Sequence, residues 1–191
     1  MADTEGSATP KSTTDELLAL LDYVHGRIVG QLERMSDEEY LWEPVAGCWS
    51  VRPGADGVCR AERTYPEPEP APFTTIAWRV WHIGADCLCG YSDRFWDGID
   101  REVREWPDNT AEALVELDKE WQRFRAHLAA LDDEGLARLL GPAGGPYAKD
   151  SYHALVLHAL DEIVHHTAEI GVIRDLYRAG DAGRAWLPTQ D

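Results

Sequence analysis

Apolar residues recur every three to four positions over four long segments of the chain, which is the spacing of one face of a helix. The segments are separated by clusters rich in glycine, proline and short polar residues. They run from Thr13 to about Arg34, from Thr74 or Thr75 to about Trp96, from Asn109 to about Leu131, and from about Ser151 to Arg178. Four amphipathic helices of this length predict an all-α fold, a four-helix bundle.

Helix-start signals support the proposed boundaries. Thr13-Thr-Asp-Glu16 has the pattern of a capping box, and Asn109 is a residue type that favours the position just before a helix. A second box, Ser36-Asp-Glu-Glu39, predicts a short helical turn that ends near Pro44. The glycine- and proline-rich sequence at 141–146 predicts a break before the fourth helix.

A long connection, residues 44–73, separates the first two predicted helices. It is rich in glycine and proline and predicts irregular structure, although a short pair of strands within 45–65 stays open. Loops this long are unusual inside a compact domain and often have a function. Five tryptophans predict packing that holds this loop in place or, alternatively, the lining of an apolar pocket: Trp42, Trp49, Trp78, Trp81 and Trp96.

Length and composition predict one domain. A chain of 191 residues is long enough for one well-packed core. We expect the domain at 13–180, with loose tails at 1–12 and 181–191. The sequence has no apolar run of about 20 residues and no signal-peptide pattern, which predicts a cytoplasmic protein with no membrane association.

The formal net charge of −17 argues against nucleic acid as a partner, because nucleic-acid binding needs clustered lysine and arginine. The four cysteines, Cys48, Cys59, Cys87 and Cys89, are few and unevenly spaced. Cys87 and Cys89 form a C-x-C, which is not the C-x-x-C of zinc or redox sites. Reduced, buried thiols are therefore expected.

Two chemically active residues interrupt the apolar face of the fourth predicted helix. Glu162 and His166 are four residues apart, so they project from one face about one turn apart. The same face carries a set of apolar residues: Leu155, Ala159, Ile170, Ile173 and Leu176, with Ile163 at its edge. Burying a charge there is costly unless it is compensated, and a divalent metal ion is the sharpest candidate. A buried arginine paired with Glu162 is the alternative.

Metal sites in bundles are built from facing helices, and the second predicted helix offers His82. Its face is part apolar and part charged, with Trp78, Ala85, Cys89, Trp96, Arg79, Asp86 and Asp93. His82, Glu162 and His166 form a possible set of two histidines and one carboxylate, which leaves coordination positions open. A hydrogen-bonded core histidine is the alternative interpretation of His82.

Four further residues are candidates near this site. His158 lies one turn before Glu162 and is a substitute ligand, whereas His165 points about 100° from His166 and is expected at the rim. Glu169, about one turn beyond His166, and Asp86, four residues after His82, are candidate catalytic bases that contact the ligands.

These residues resemble the DinB/YfiT-like superfamily. The resemblance rests on AWRVWHIGAD around His82, on EIVHHTAEIGVIRDLY around Glu162 and His166, and on the Trp49-Ser50-Val51-Arg52 segment. It covers nearly the whole chain from about Thr13 to Gly180. It implies a four-helix bundle with a metal triad at His82, Glu162 and His166, holding zinc or nickel.

The glutamate at position 162, where many relatives have histidine, resembles the branch of mycothiol-dependent maleylpyruvate isomerases. The R-G-Q that follows the last histidine in many relatives is Thr167, Ala168 and Glu169 here. The resemblance implies a transferase or isomerase that acts on a small-molecule substrate with a low-molecular-weight thiol, and homodimers are common in such proteins. A metal-dependent hydrolase and a non-catalytic, stress-associated metal-binding protein remain alternatives.

Overall fold

Four helical rods pack side by side, as the periodicity predicts. A computed structural model describes residues 11–100 and 104–183, with side chains described up to residue 180. The α-helices are α1 (Thr13–Leu32), α2 (Asp37–Leu41), α3 (Ile76–Trp81), α4 (Gly90–Ser92), α5 (Thr110–Ala129), α6 (Asp133–Ala137) and α7 (Tyr152–Gly183). The predicted all-α class is confirmed, and no helix of the described ranges is long and apolar enough to cross a membrane.

The second rod is a composite helix spanning 76–97. It begins as α3, becomes π-helical in π1 (His82–Cys89), returns to α4, and ends as a second π-helical stretch, π2 (Asp93–Asp97). Thr75 caps it, accepting a hydrogen bond from the Trp78 backbone, so the predicted start is correct. Each π turn contains one residue more than an α turn, so side chains advance differently around the axis.

The π turns change which residues share the face of His82. Asp93 is 1% exposed and pairs with Arg123 of α5 at 2.6 Å, and the Cys89 Sγ lies 3.7 Å from the same guanidinium. His82 instead faces Glu162 of α7. The prediction that Cys89 and Asp93 share the face of His82 is therefore wrong, because it assumed 3.6 residues per turn throughout.

Two helix ends differ from the predictions. The capping box of α1 is formed by Ser12 and Asp15, one residue before the predicted start at Thr13. α7 continues through Gly180 to Gly183, beyond the predicted end at Arg178. One glycine costs a helix only about 1 kcal/mol, so it need not stop it. Of the predicted tails at 1–12 and 181–191, residues 1–10 and 184–191 lie outside the described residues.

α1, α5, α7 and the composite helix enclose one main core. Its fully buried side chains come from all four rods: Leu21, Ile28, Ile76, Ile83, Leu88, Leu117, Trp121, Phe124 and Ile163. A buried ion pair joins α7 to α2, with Arg174 Nε donating to Glu39 Oε1 at 2.6 Å. Arg174 also donates to the backbone carbonyl of Gln31, so this end of the bundle is fixed by charge as well as by apolar contact.

The long connection contains a small hairpin, which resolves the strand pair that the sequence left open. Strands β1 (Val51–Pro53) and β2 (Cys59–Ala61) are antiparallel, with Val51 opposite Ala61. The indole Nε1 of Trp78 donates to the Glu62 carbonyl at 2.8 Å, which fastens the hairpin to α3. The hairpin thereby places Arg63 beside the composite helix.

At Gly84 the composite helix packs directly against the ring of Trp106. A Cβ at position 84 would overlap the Trp106 ring, whereas one at position 90 meets only ordinary contacts. We expect Gly84→Ala to lower the free energy of unfolding by about 1–3 kcal/mol through overpacking. The matched Gly90→Ala should leave it unchanged or raise it by up to about 1 kcal/mol. Urea unfolding of both variants measures this, and equal effects would contradict the packing described.

Candidate metal centre

Three side chains from two rods converge on one point. His82 begins π1, and Glu162 and His166 lie one turn apart on α7. Oε2 of Glu162 is 3.1 Å from His82 Nε2 and 3.3 Å from His166 Nε2. The three candidate ligand atoms all lie within 4.8 Å of one another. The structure thus brings together the three residues that the sequence pointed to, across a separation of 80 residues.

The site lies at the border of the core and not within it. On α7, Ile163 is fully buried at 0% exposure, whereas Leu176 is 49% exposed. The predicted apolar face is therefore displaced toward Ile163, and Leu176 does not belong to it. Glu162 keeps 28% of its side chain exposed and His166 keeps 13%, so a small molecule can approach the cluster from one side.

Each histidine has a carboxylate beside its second ring nitrogen. Nδ1 of His82 lies 3.2 Å from Asp86 Oδ2, and Nδ1 of His166 lies 2.6 Å from Glu169 Oε2. His166 Nδ1 forms a hydrogen bond with Glu169, whereas His82 Nδ1 lies near Asp86 without hydrogen-bond geometry, and the Nε2 atom of each ring faces Glu162. Histidine ligands of metals usually have such a partner at the other ring nitrogen. Asp86 and Glu169 thus contact the predicted ligands, as expected from their spacing.

Arginines hold the two orienting carboxylates in turn. Arg79, only 8% exposed, donates to Oε2 of Glu169 and has Nη1 3.2 Å from the His166 ring. Arg63 from the hairpin side pairs with Asp86 at 3.0 Å. Neither arginine was predicted to have a role at the site, although a charged residue three positions before His82 among apolar residues is a signal for one.

The Trp78 ring stacks on His82, with centroids 5.2 Å apart and planes 7° from parallel. The rings of His82 and His166 meet nearly at right angles, 4.7 Å apart. Because Trp78 is also fastened to the hairpin, the His82 ring is packed on one side and held by Asp86 on another. Its rotation is therefore restricted before any ligand binds.

The electrostatic environment favours an ionised Glu162 and a neutral His166. Burial, together with the neighbouring His82 and Arg79, lowers the pKa of His166, although the Glu169 carboxylate acts to raise it. Burial raises the pKa of Glu162, but the neighbouring His82 and His166 outweigh it and lower that pKa. Burial lowers the pKa of His82, yet Asp86 and Glu162 together raise it above its ordinary value. An incoming cation would displace the proton that His82 shares with Glu162.

The two alternative ligands lie outside the triad. His158 is 55% exposed and approaches only the other Glu162 oxygen, at 3.9 Å. His165 is 60% exposed and lies 3.1 Å from Glu169 Oε1, at the rim as expected. Glu169 could join His165 and His166 in a second cluster, but Arg79 already occupies its other oxygen and would repel a second cation.

A cavity of about 520 Å³ opens beside the triad, and its walls include His82, Glu162, Asp86 and Cys87. All four cysteines of the described part are free, and Cys48, Cys87 and Cys89 are buried as predicted, whereas Cys59 is only half-buried. Burial, with help from Glu162 and Asp86, raises the pKa of Cys87 well above its ordinary value. Cys87 is therefore a protonated thiol in the cavity wall, and its Sγ is not among the ligand atoms that converge at the triad.

Comparison with known proteins identifies the family. The sequence profile of the DinB superfamily matches residues 20–170, so the chain belongs to the DinB superfamily. A solved structure described as a conserved protein from Enterococcus faecalis is similar with a TM-score of 0.52 and 15% identity, covering 87% of this chain and 98% of that one. That likeness supports the fold alone. No curated protein matches the sequence significantly.

The contribution of the Arg79–Glu169 pair to stability can be measured in the absence of any ligand. Arg79→Met removes a buried cation from Glu169 and should lower the free energy of unfolding by about 1–3 kcal/mol. Arg125→Met, which breaks an exposed pair with Asp22, should cost at most about 1 kcal/mol. Chemical unfolding of both variants without metal measures the difference. Equal losses would show that the Arg79 pair does not fix the site.

Proposed function

We propose that the protein is a divalent-metal-dependent enzyme whose ion is held by His82, Glu162 and His166. The observation that carries this proposal is the convergence of three ligand atoms at one point. The second ring nitrogen of each histidine also lies beside a carboxylate. Zinc and nickel suit two imidazoles and a carboxylate, and three protein ligands leave a position for substrate.

The two distances from Glu162 to the histidines fit such an ion. Ligand atoms about 2.1 Å from a tetrahedral ion lie roughly 3.4 Å from one another. The measured 3.1 Å and 3.3 Å from Glu162 to the two histidines are close to this spacing. The alternative, in which Glu162 is paired with a buried arginine, is not supported, because the buried Arg79 contacts Glu169 instead.

A bound divalent ion would supply Lewis-acid chemistry, which removes the proton of a coordinated thiol and brings the pKa of coordinated water near neutrality. The protein side chains hold the ligands in place and fix their orientation. Asp86 and Glu169 fix the histidine rings, Arg63 and Arg79 fix those carboxylates, and Trp78 limits water on one side of His82.

The engagement of both carboxylates favours a thiol over water as the nucleophile. Glu169 is bound by Arg79 and two histidines, and Asp86 by His82 and Arg63. Neither is free to act as the general base that hydrolysis usually needs. A thiol coordinated to the ion would be acidic enough to lose its proton to solvent, and so would need no such base. We therefore propose transfer or isomerisation of a small molecule with a low-molecular-weight thiol.

Metal content tests the ligand set directly. Protein purified without added metal should contain about one equivalent of zinc or nickel, and His166→Ala should lose it. His153→Ala, on the same helix outside the triad, is the matched control and should retain it. Elemental analysis of the three proteins measures this. Equal metal content in wild type and His166→Ala would reject the assignment.

Thermal unfolding with an added thiol tests the proposed chemistry. Mycothiol at about 100 times its Kd should stabilise the zinc-loaded protein by about 2.7 kcal/mol and so raise its Tm. Neither the metal-free protein nor His166→Ala should respond. The alcohol analogue of the thiol is the control ligand. Turnover of an amide substrate without any thiol, together with no thiol-dependent shift, would favour hydrolysis.

A further inference from the structure

A second cavity adjoins the one beside the metal centre. It has a volume of about 550 Å³ and lies where π2, the 3-10 helix Gly141–Tyr147 and the start of α7 meet. Its walls include Phe95, Leu140, Leu155 and Tyr147. Leu140 and Leu155 belong to a small apolar cluster separate from the main core, so the floor of this cavity is hydrocarbon.

Tyr91, Arg94 and His158 line both cavities. The two spaces are therefore neighbours with a common wall, one end at the triad and the other at the apolar floor. Both volumes lie in the range of sites for small organic molecules, about 300–1,000 Å³. A molecule that spans the common wall would place one end at Glu162 and its other end against Leu155.

Charge at the common wall is not balanced. Arg63 and Arg104, which also line the metal-facing cavity, are each paired with an aspartate. Arg94 is exposed and forms no ion pair with any residue in 11–100 or 104–183. In a chain with a net charge of −17, this guanidinium is a cation available to a ligand.

Tyr91 provides a second donor at the same wall. Burial, reinforced by the negative charges of Glu162 and Asp86, raises the pKa of Tyr91, so the phenol keeps its proton and can donate. Two exposed carboxylates lie away from the common wall: Asp100 lines only the metal-facing cavity, and Asp150 lines only the second one. An anion is therefore favoured at Arg94 and disfavoured nearer to Asp100.

We infer that the substrate class is a small anionic amphiphile: a carboxylate or similar anion on Arg94 and Tyr91, with an aliphatic or aromatic arm in the apolar cavity. The inference rests on the proposed function in assigning the reacting end of the molecule to the His82–Glu162–His166 centre. Arg94 acts in binding and selects for charge, while the Leu140 and Leu155 floor selects for the arm.

Three ligands of equal length separate charge from apolar contact: 4-phenylbutyrate, 4-phenylbutanol and 4-phenylbutylamine. Titration calorimetry on the zinc-loaded protein should rank the acid first and the amine last. Arg94→Gln should lower the affinity for the acid by about tenfold and leave the affinity for the alcohol unchanged. Ala154→Phe, at an exposed position of the apolar wall, should lower the affinity for both the acid and the alcohol. Arg27→Gln, on α1, should change neither.

Metal content of the same samples separates this inference from the proposed function. Arg94→Gln and Ala154→Phe should hold as much metal as wild type. A metal-containing wild type that binds acid and amine equally, or an Arg94→Gln that binds the acid normally, would overturn the inference and leave the metal centre intact. A wild type that takes up no metal but still binds the acid through Arg94 would support the pocket and reject the proposed function.

Discussion

The carboxylate of Glu162, held between His82 and His166, is the interaction on which the rest of the site depends. It brings charge to the border of an apolar core, where unpaired ions are costly. Each group around it is therefore compensated by the next: imidazole by carboxylate, carboxylate by arginine. Arg79, itself buried, closes this chain of contacts on one side, and Arg63 closes it on the other. The resulting network is oriented before any ligand arrives.

The irregular parts of the fold serve the same centre. π-helical turns are frequent at functional sites, and here π1 begins at His82 itself. The altered turn directs His82 toward α7. It directs Asp93 toward Arg123 of α5 and toward Arg104, which lies between the composite helix and α5. The long loop contributes through its hairpin, which carries Arg63 to Asp86 and is fastened by Trp78. Of the two roles that the tryptophans suggested, holding the loop is the one Trp78 fulfils.

Most of the architecture could be predicted from the sequence because it depends on local signals. Apolar periodicity located the four rods, and Asn109 caps α5 as its residue type indicated. The triad followed from the Glu162–His166 spacing and from the resemblance around His82. The π turns, the Arg79–Glu169 pair and the unbalanced Arg94 could not be predicted, because each depends on contacts between distant parts of the chain. A fixed helical period also misplaced Cys89, Asp93 and Leu176.

The central claim is that His82, Glu162 and His166 together hold one metal ion, and X-ray absorption spectroscopy of the zinc-loaded protein tests it most directly. The account requires a first shell of nitrogen and oxygen alone at about 2.0–2.1 Å, with outer-shell scattering from two imidazoles. Sulfur at about 2.3 Å in the protein without added thiol would contradict it, since Cys87 would then be a ligand. Scattering from a single imidazole would contradict it equally.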